Sequence, residues 1–249
     1  QAKSGFGLVV GLSGYARHSL SKIERMAVNW GLSTTRYETE NLNNLDGNLT
    51  LVYERTIRTG RWFISPYYRK IWRAENASQQ HRGLRLGVGS RLTLRDQLDV
   101  SLVRERRIYS SQPHLDGPFA SVSLNFSRQL NPSRSLQLGI GGDRSSPQSE
   151  HLRYVGSKLS FGLKQDWQGG LQTGFGLELG QRDFIGNYPL TYTPRADDFR
   201  RLNATLQHTR IEFSGFMPSL SCSHQINRSN IVFYDYKVSE CRITISRNF

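Results

Sequence analysis

Cysteine, histidine and serine are the residues with which this 249-residue chain could do covalent or metal chemistry. There are two cysteines, Cys222 and Cys241, and neither sits in a metal-type spacing. The six histidines, His18, His81, His114, His151, His208 and His224, form no two-histidine metal pair. Hydrolysis would need a base, its orienting partner and a nucleophile or activated water held together. Serines are abundant, but no histidine motif accompanies them. The expectation is no catalytic residue, no metal ligand and no cofactor: not an enzyme. What remains is ion chemistry, for the formal net charge is +13. The chain has no Lys/Arg run and no RNA-binding or helix-turn-helix pattern, so no nucleic-acid partner is expected. The arginines stand singly, which suits a basic channel wall or contacts with anionic lipid headgroups.

The elements that must position these charges are strands. Hydrophobic residues make up 37% of the chain, low for a protein with an ordinary core. Mean hydropathy is −0.53, and no apolar run approaches the length of a membrane helix. Apolar residues instead recur at every second position, the period of a strand between two environments. At the C-terminus, Cys241, Ile243, Ile245 and Phe249 fall on one face, and Glu240, Arg242, Thr244, Ser246 and Asn248 on the other. A last strand closing on an aromatic residue resembles the C-terminal signal of bacterial outer-membrane β-barrels. A membrane barrel faces lipid with its apolar side chains and keeps a polar interior, so it needs no conventional core.

Thirteen strands are expected between turn signals. They cover about 5–15, 23–37, 45–56, 62–73, 83–94, 98–109, 119–130, a segment around 136–141, 152–166, 171–184, 199–213, 216–228 and 236–249. The connections alternate in length. Those near 58–61, 95–97, 131–133, 168–170 and 214–215 are tight; those near 38–44, 74–81, 110–118, 145–151, 185–197 and 229–235 are longer and polar. Short turns on one rim and long loops on the other suit a transmembrane barrel. The fold class is therefore all-β, an antiparallel up-and-down barrel. Single-chain bacterial barrels have an even strand number. One further strand is expected upstream, for fourteen in all, unless an early strand hides near Ser19–Lys22. The chain opens at Gln1 with no signal-peptide pattern, as expected of a processed or excised piece.

The last quarter carries a more specific pattern. Pro194-Arg195-Ala196-Asp197 precedes a strand, and Gly215-Phe216-Met217-Pro218 opens the next. That strand ends in Asn227-Arg228-Ser229-Asn230, followed by Tyr234-Asp235-Tyr236 and the closing Arg247-Asn248-Phe249. This order resembles the barrel domain of the surface lipoprotein assembly modulators, the Slam proteins. The resemblance implies a fourteen-stranded barrel in the bacterial outer membrane that helps move lipoproteins or related secreted proteins to the cell surface. Its partners would be outer-membrane lipids, the client protein, and the barrel-assembly machinery acting through the C-terminal strand. The family usually has a periplasmic helical-repeat domain before the barrel, and no such repeat is visible here. Residues 1–249 are accordingly read as a barrel domain lacking that repeat and one strand. The rival readings are an outer-membrane polysaccharide export porin and a barrel enzyme.

Strand parity turns Arg85, Arg91, Glu105, Arg107, Lys158, Lys164, Glu178, Arg182, Glu240 and Arg242 inward. Either they form a paired network that braces the wall, or some of them contact a client in transit. The motif residues Arg195, Asp197, Gly215, Phe216, Pro218, Arg228, Ser229, Asn230, Tyr234, Asp235, Tyr236 and Phe249 are candidates for closing the fold or for a lateral seam between the last and first strands. Cys222 and Cys241 could face each other across the last hairpin as a disulfide. They could equally be unpaired lipid-facing thiols, since a one-residue change of register separates them.

Overall fold

The computed structural model describes residues 7–37, 43–73, 77–211 and 216–247. Gly215, Phe249 and the tight turn expected at 214–215 lie outside the described residues. The architecture is all-β. Thirteen strands form one antiparallel sheet, each hydrogen-bonded to its neighbours in chain order. They are β1 Gly7–Ser19, β2 Glu24–Tyr37, β3 Asn44–Ile57, β4 Gly60–Arg73, β5 Ala77–Arg91, β6 Asp96–Tyr109 and β7 Gly117–Asn131. Then come β8 Arg134–Ser145, β9 Tyr154–Asp166, β10 Leu171–Asn187, β11 Pro194–His208, β12 Phe216–Ser229 and β13 Tyr236–Arg247. This is the order of an up-and-down barrel wall.

Several details differ from the sequence expectation. No extra strand occupies Ser19–Lys22: the Leu20 and Ser21 N–H groups bond to the Glu24 carbonyl in a tight turn. β5 begins at Ala77 rather than near residue 83, so strand occupies residues 77–81 of the long connection expected at 74–81. The Ser78-Gln79-Gln80-His81 stretch pairs with the end of β4 although it is polar on both faces. β11 begins at Pro194 and ends at His208, five residues earlier at each end than expected. Its first residues alternate by charge, which a search for apolar periodicity passes over.

One face of the sheet carries most of its large apolar side chains, and they stay exposed: Leu12 is 63% accessible, Val88 49% and Ile243 74%. Among the described residues only Phe184, Phe199 and Ile231 are buried hydrophobics. Buried polar groups, Ser65, Glu105, Asp197 and Asn227, outnumber them. A water-soluble sheet buries its apolar face; this sheet leaves that face open and gathers its few buried side chains among polar ones.

The chain divides into two compact units. The first comprises Gln1–Ser90, Asp99–Val122 and Asp143–Tyr154. There Tyr67 lies opposite Gly83 and Phe63 opposite Gly87. A Cβ at either glycine would overlap the facing ring, so the glycines make room for aromatics on the polar face. Pro66 has no N–H to give, and the β3–β4 register skips it: pairing runs to Thr50–Tyr67 and resumes at Tyr53–Ile64.

The second unit comprises Arg91–Leu98, Ser123–Gly142 and Val155–Phe249. Gly180 lies opposite Phe199 in the same glycine–aromatic arrangement. Cys222 lies opposite Cys241 and the two form a disulfide, with Cα atoms 4.0 Å apart. So close an approach marks a non-hydrogen-bonded pair, in which the Cys222 N–H points toward β11. Pro218, four residues earlier, has the same orientation. The β11–β12 ladder ends at Ser219, so its missing N–H costs no ladder bond.

Candidate functional site

In the first unit the polar face of β4, β5 and β6 converges on Glu105, whose side chain is only 7% exposed. Its carboxylate accepts hydrogen bonds from the Tyr67 hydroxyl at 2.5 Å and from Arg107 Nε at 2.6 Å. His81 Nδ1 stands 3.5 Å away. The Arg107 guanidinium also lies 3.7 Å from the centre of the Phe119 ring. Two residues beyond Tyr67 on β4, Arg69 forms a forked pair with Asp46 on the neighbouring β3. These groups belong to separate strands that share one face because side chains alternate.

The polar face of the second unit carries a ladder running perpendicular to the strands. Lys158 on β9 pairs with Glu178 on β10 at 3.9 Å, and Glu178 with Arg201 on β11 at 3.5 Å. Arg201 donates to Gln225 on β12 at 2.6 Å, and Gln225 to the Tyr236 hydroxyl on β13 at 2.9 Å. Glu178 lies directly opposite Arg201 and Arg201 directly opposite Gln225, whereas Gln225 reaches Tyr236 on the diagonal, two residues from its own partner Val238.

At the long-loop end of the same strands, Arg195 is clamped from several sides. Its guanidinium donates to Asp197, Nε to Oδ1 at 2.9 Å. It lies 3.3 Å from the ring centre of Tyr234 and 4.3 Å from that of Phe184. The Asp197 side chain is 1% exposed and that of Arg195 11%. Tyr188 meets Tyr234 edge-on at 5.7 Å. Desolvation, and then the neighbouring Tyr234, push the Tyr188 phenol above its ordinary value. Arg182 sits opposite Asp197 and 5.0 Å from the Phe199 ring centre. Asparagines sew the loops to this cluster. Asn227 donates to the Tyr234 carbonyl at 2.7 Å. Asn230 donates to the Pro194 carbonyl at 2.9 Å and accepts from the Ala196 N–H at 2.8 Å. Ser229 Oγ accepts from the Ile231 N–H at 3.1 Å.

The structure separates the predicted residues. Glu105 with Arg107, Lys158 with Glu178, and Glu240 with Arg242 at 2.8 Å are ion pairs. Arg182, Arg195, Asp197, Ser229, Asn230 and Tyr234 belong to the clamp or its loop, and Tyr236 ends the ladder. Arg85, Arg91 and Lys164 are exposed, and no ion pair holds them among the described residues. Arg228 and Asp235 are exposed too, beside the clamp rather than in it. The backbone of Phe216 pairs with Arg247 at the far end of β12, away from the clamp, and Pro218 lies two residues on. Sequence reasoning missed Tyr67, His81, Phe184, Phe199 and Arg201 as site residues. Inward parity was the available signal for Tyr67 and Arg201, whereas His81 fell in a presumed loop. Among the described residues no group of three or more His, Cys, Asp or Glu is placed to hold a metal ion.

A family model described as surface lipoprotein assembly modifier matches residues 17–249. Among curated proteins, surface lipoprotein assembly modifier 1 of Haemophilus influenzae strain KW20/Rd is 25% identical over 207 residues, 77% of this chain and 42% of the relative. Surface lipoprotein assembly modifier of Haemophilus influenzae strain 86-028NP is 24% identical over 194 residues, 75% of this chain and 40% of the relative. The chain thus spans about 40% of the length of the curated relatives it matches.

Proposed function

The chain belongs to the surface lipoprotein assembly modifier family, and we propose that it forms a barrel wall in the bacterial outer membrane, where it helps deliver lipoproteins or related secreted proteins to the cell surface. One observation carries this reading: a single sheet whose large apolar side chains stay exposed on one face while charge networks occupy the other. The strands are long enough. The shortest, β8 and β13, have 12 residues, about 40 Å of strand and about 28 Å of rise at a tilt near 45°, against an apolar band of about 25 Å. In this reading lipid covers the apolar face and the client meets the polar one.

The work is non-covalent, done by wall and charge with no cofactor. Paired charges brace the wall; Arg85, Arg91 and Lys164, which keep their charges available, are the groups we assign to client contact. β13 is the strand we assign to the lateral seam and to recognition by the barrel-assembly machinery. The family match supports protein cargo over polysaccharide. The test is surface display: the intact gene is expressed with a neighbouring lipoprotein gene, and intact cells are probed with antibody to the lipoprotein. Loss of surface signal on deleting the gene, with the lipoprotein still made, is the expected result. Unchanged display would refute the delivery function.

A further inference from the structure

We propose that a groove on the apolar-parity side of β5 and β6 binds the phosphate groups of an outer-leaflet glycolipid; this rests on the outer-membrane reading above. The groove, about 790 Å³, lies wholly within the first unit and is lined by Arg82, Arg104, Arg106 and Arg153. Its volume falls within the range of about 300–1,000 Å³ usual for organic ligands. Arg82 continues the face of Leu84 and Leu86, and Arg104 and Arg106 that of Val100 and Leu102, all of them exposed. A guanidinium on a lipid-facing position is costly near mid-membrane and tolerated at the headgroup layer.

Arg104 and Arg106 make no ion pair or hydrogen bond among the described residues. Arg82 donates only to the neutral Gln80, at 3.1 Å, and lies 5.8 Å from the ring centre of Tyr68. The carboxylates nearby do not neutralise them. Glu105 turns to the opposite face, toward Tyr67 and Arg107. Asp116 also lines the groove, makes no ion pair with these arginines, and points an oxygen at the Tyr109 N–H, 2.7 Å away, so the groove keeps an excess of positive charge. Glu150 pairs with Arg153 at 3.2 Å. Arg153 is held in place beforehand, donating to the Pro147 and Gln148 carbonyls at 3.0 and 3.1 Å.

Depth fits a headgroup. β6 ends at Tyr109, so Arg106 and Arg104 lie about 7 and 12 Å below the strand end, counting about 3.4 Å per residue at a tilt near 45°. That end carries the long loops, on the rim read as extracellular. Several guanidiniums beside an aromatic ring, above leucines and facing lipid, suit a phosphorylated sugar head whose acyl chains run down the apolar face. Guanidinium forks match phosphate oxygens bidentately.

The experiment titrates the intact protein in detergent with bisphosphorylated lipid A, with the same lipid stripped of both phosphates, with phosphatidylglycerol and with inorganic phosphate. The variants are R104Q/R106Q and, should that pair fail to fold, R104K/R106K, which keeps the charge and loses the fork. Gel mobility before and after heating reports folding. Saturable binding of the bisphosphorylated lipid that falls about tenfold or more in R104Q/R106Q is expected, with a smaller loss in R104K/R106K. Equal affinity in wild type and variant would overturn the assignment. So would phosphatidylglycerol or inorganic phosphate binding as tightly as lipid A, since either would reduce the groove to a general anion attractor. Cell fractionation reports separately on the parent reading: a protein absent from the outer membrane sinks that reading, whereas one that inserts but binds lipid A independently of these arginines sinks only the groove.

Discussion

Replacing Asp197 by alanine tests whether the arginine clamp holds the long-loop end of β10–β13 together. Asp197 is 1% exposed in its side chain and Arg195 11%, so the variant strands a buried guanidinium without its anion. Breaking a buried ion pair from one side costs about 3–5 kcal/mol. Stacking on Tyr234 and Phe184 leaves the stranded guanidinium a partly favourable environment, which puts the loss at the low end of that range. The expected loss is about 3 kcal/mol. D197N keeps the shape and one acceptor and should cost about half as much. The assay is denaturant unfolding of the detergent-refolded protein followed by tryptophan fluorescence, run as a double-mutant cycle with R195A. Because the double variant leaves no stranded charge, its loss should fall short of the sum of the singles by about 2 kcal/mol. A coupling below about 0.5 kcal/mol would refute the claim that this pair is a buried unit rather than two independently solvated groups.

The glycine–aromatic pairs and the disulfide give two further expectations. G180A forces a methyl into the Phe199 ring and should cost about 1–3 kcal/mol in the same assay, whereas G162A, whose Cβ would meet nothing nearer than 3.5 Å, should be close to neutral; equal losses would remove the steric account. The Cys222–Cys241 bridge closes a sequence separation of 19, worth about 3 kcal/mol by loop-closure entropy. Reductant and C222S/C241S should therefore lower the unfolding midpoint alike, and a midpoint unmoved by reductant would mean that the thiols are unpaired in the protein.

Strand number, chain-order pairing and the identity of the exposed face were legible because all three follow from a period of two in apolar residues. Leu8, Leu86 and Ile243 could hardly be assigned otherwise. The hairpin parity that placed Cys222 opposite Cys241 was legible as well, although whether the thiols were joined was not. Where the apolar period lapses, strand and loop look alike in the sequence. The polar start of β5 looked like loop because Ser78 to His81 alternate nothing, yet a strand protruding beyond the apolar band needs no alternation: both its faces can be wet. The start of β11 was hidden for a related reason, as Arg195 and Asp197 alternate by charge. The clamp itself was half visible. Its polar members stood out as a motif, but Phe184 and Phe199 did not, because an aromatic residue on a polar face breaks the two-faced pattern and makes sense only once Gly180 and two arginines are seen around it.

That division bears on which inward charges are free to act. A charge network spends its donors and acceptors on itself. Lys158, Glu178 and Arg201 satisfy one another across three strands, and Arg107 closes on Glu105, so a passing polypeptide would have to break these pairs to use them. Arg85, opposite Ser65, faces no such competition, and neither do Arg91 and Lys164 among the described residues. A client segment carrying carboxylates would be drawn to those cations at little desolvation cost and released as readily, because exposed pairs are worth about 1 kcal/mol or less. For the proposed delivery role, contact must be weak and replaceable; cargo held through the networked pairs would be trapped. The two faces differ in the same way: in the proposed function the paired network on the polar side braces the wall, and arginines outside such pairs, Arg85 and Arg91 on the polar side and Arg104 and Arg106 on the apolar side among them, keep charge for something outside it.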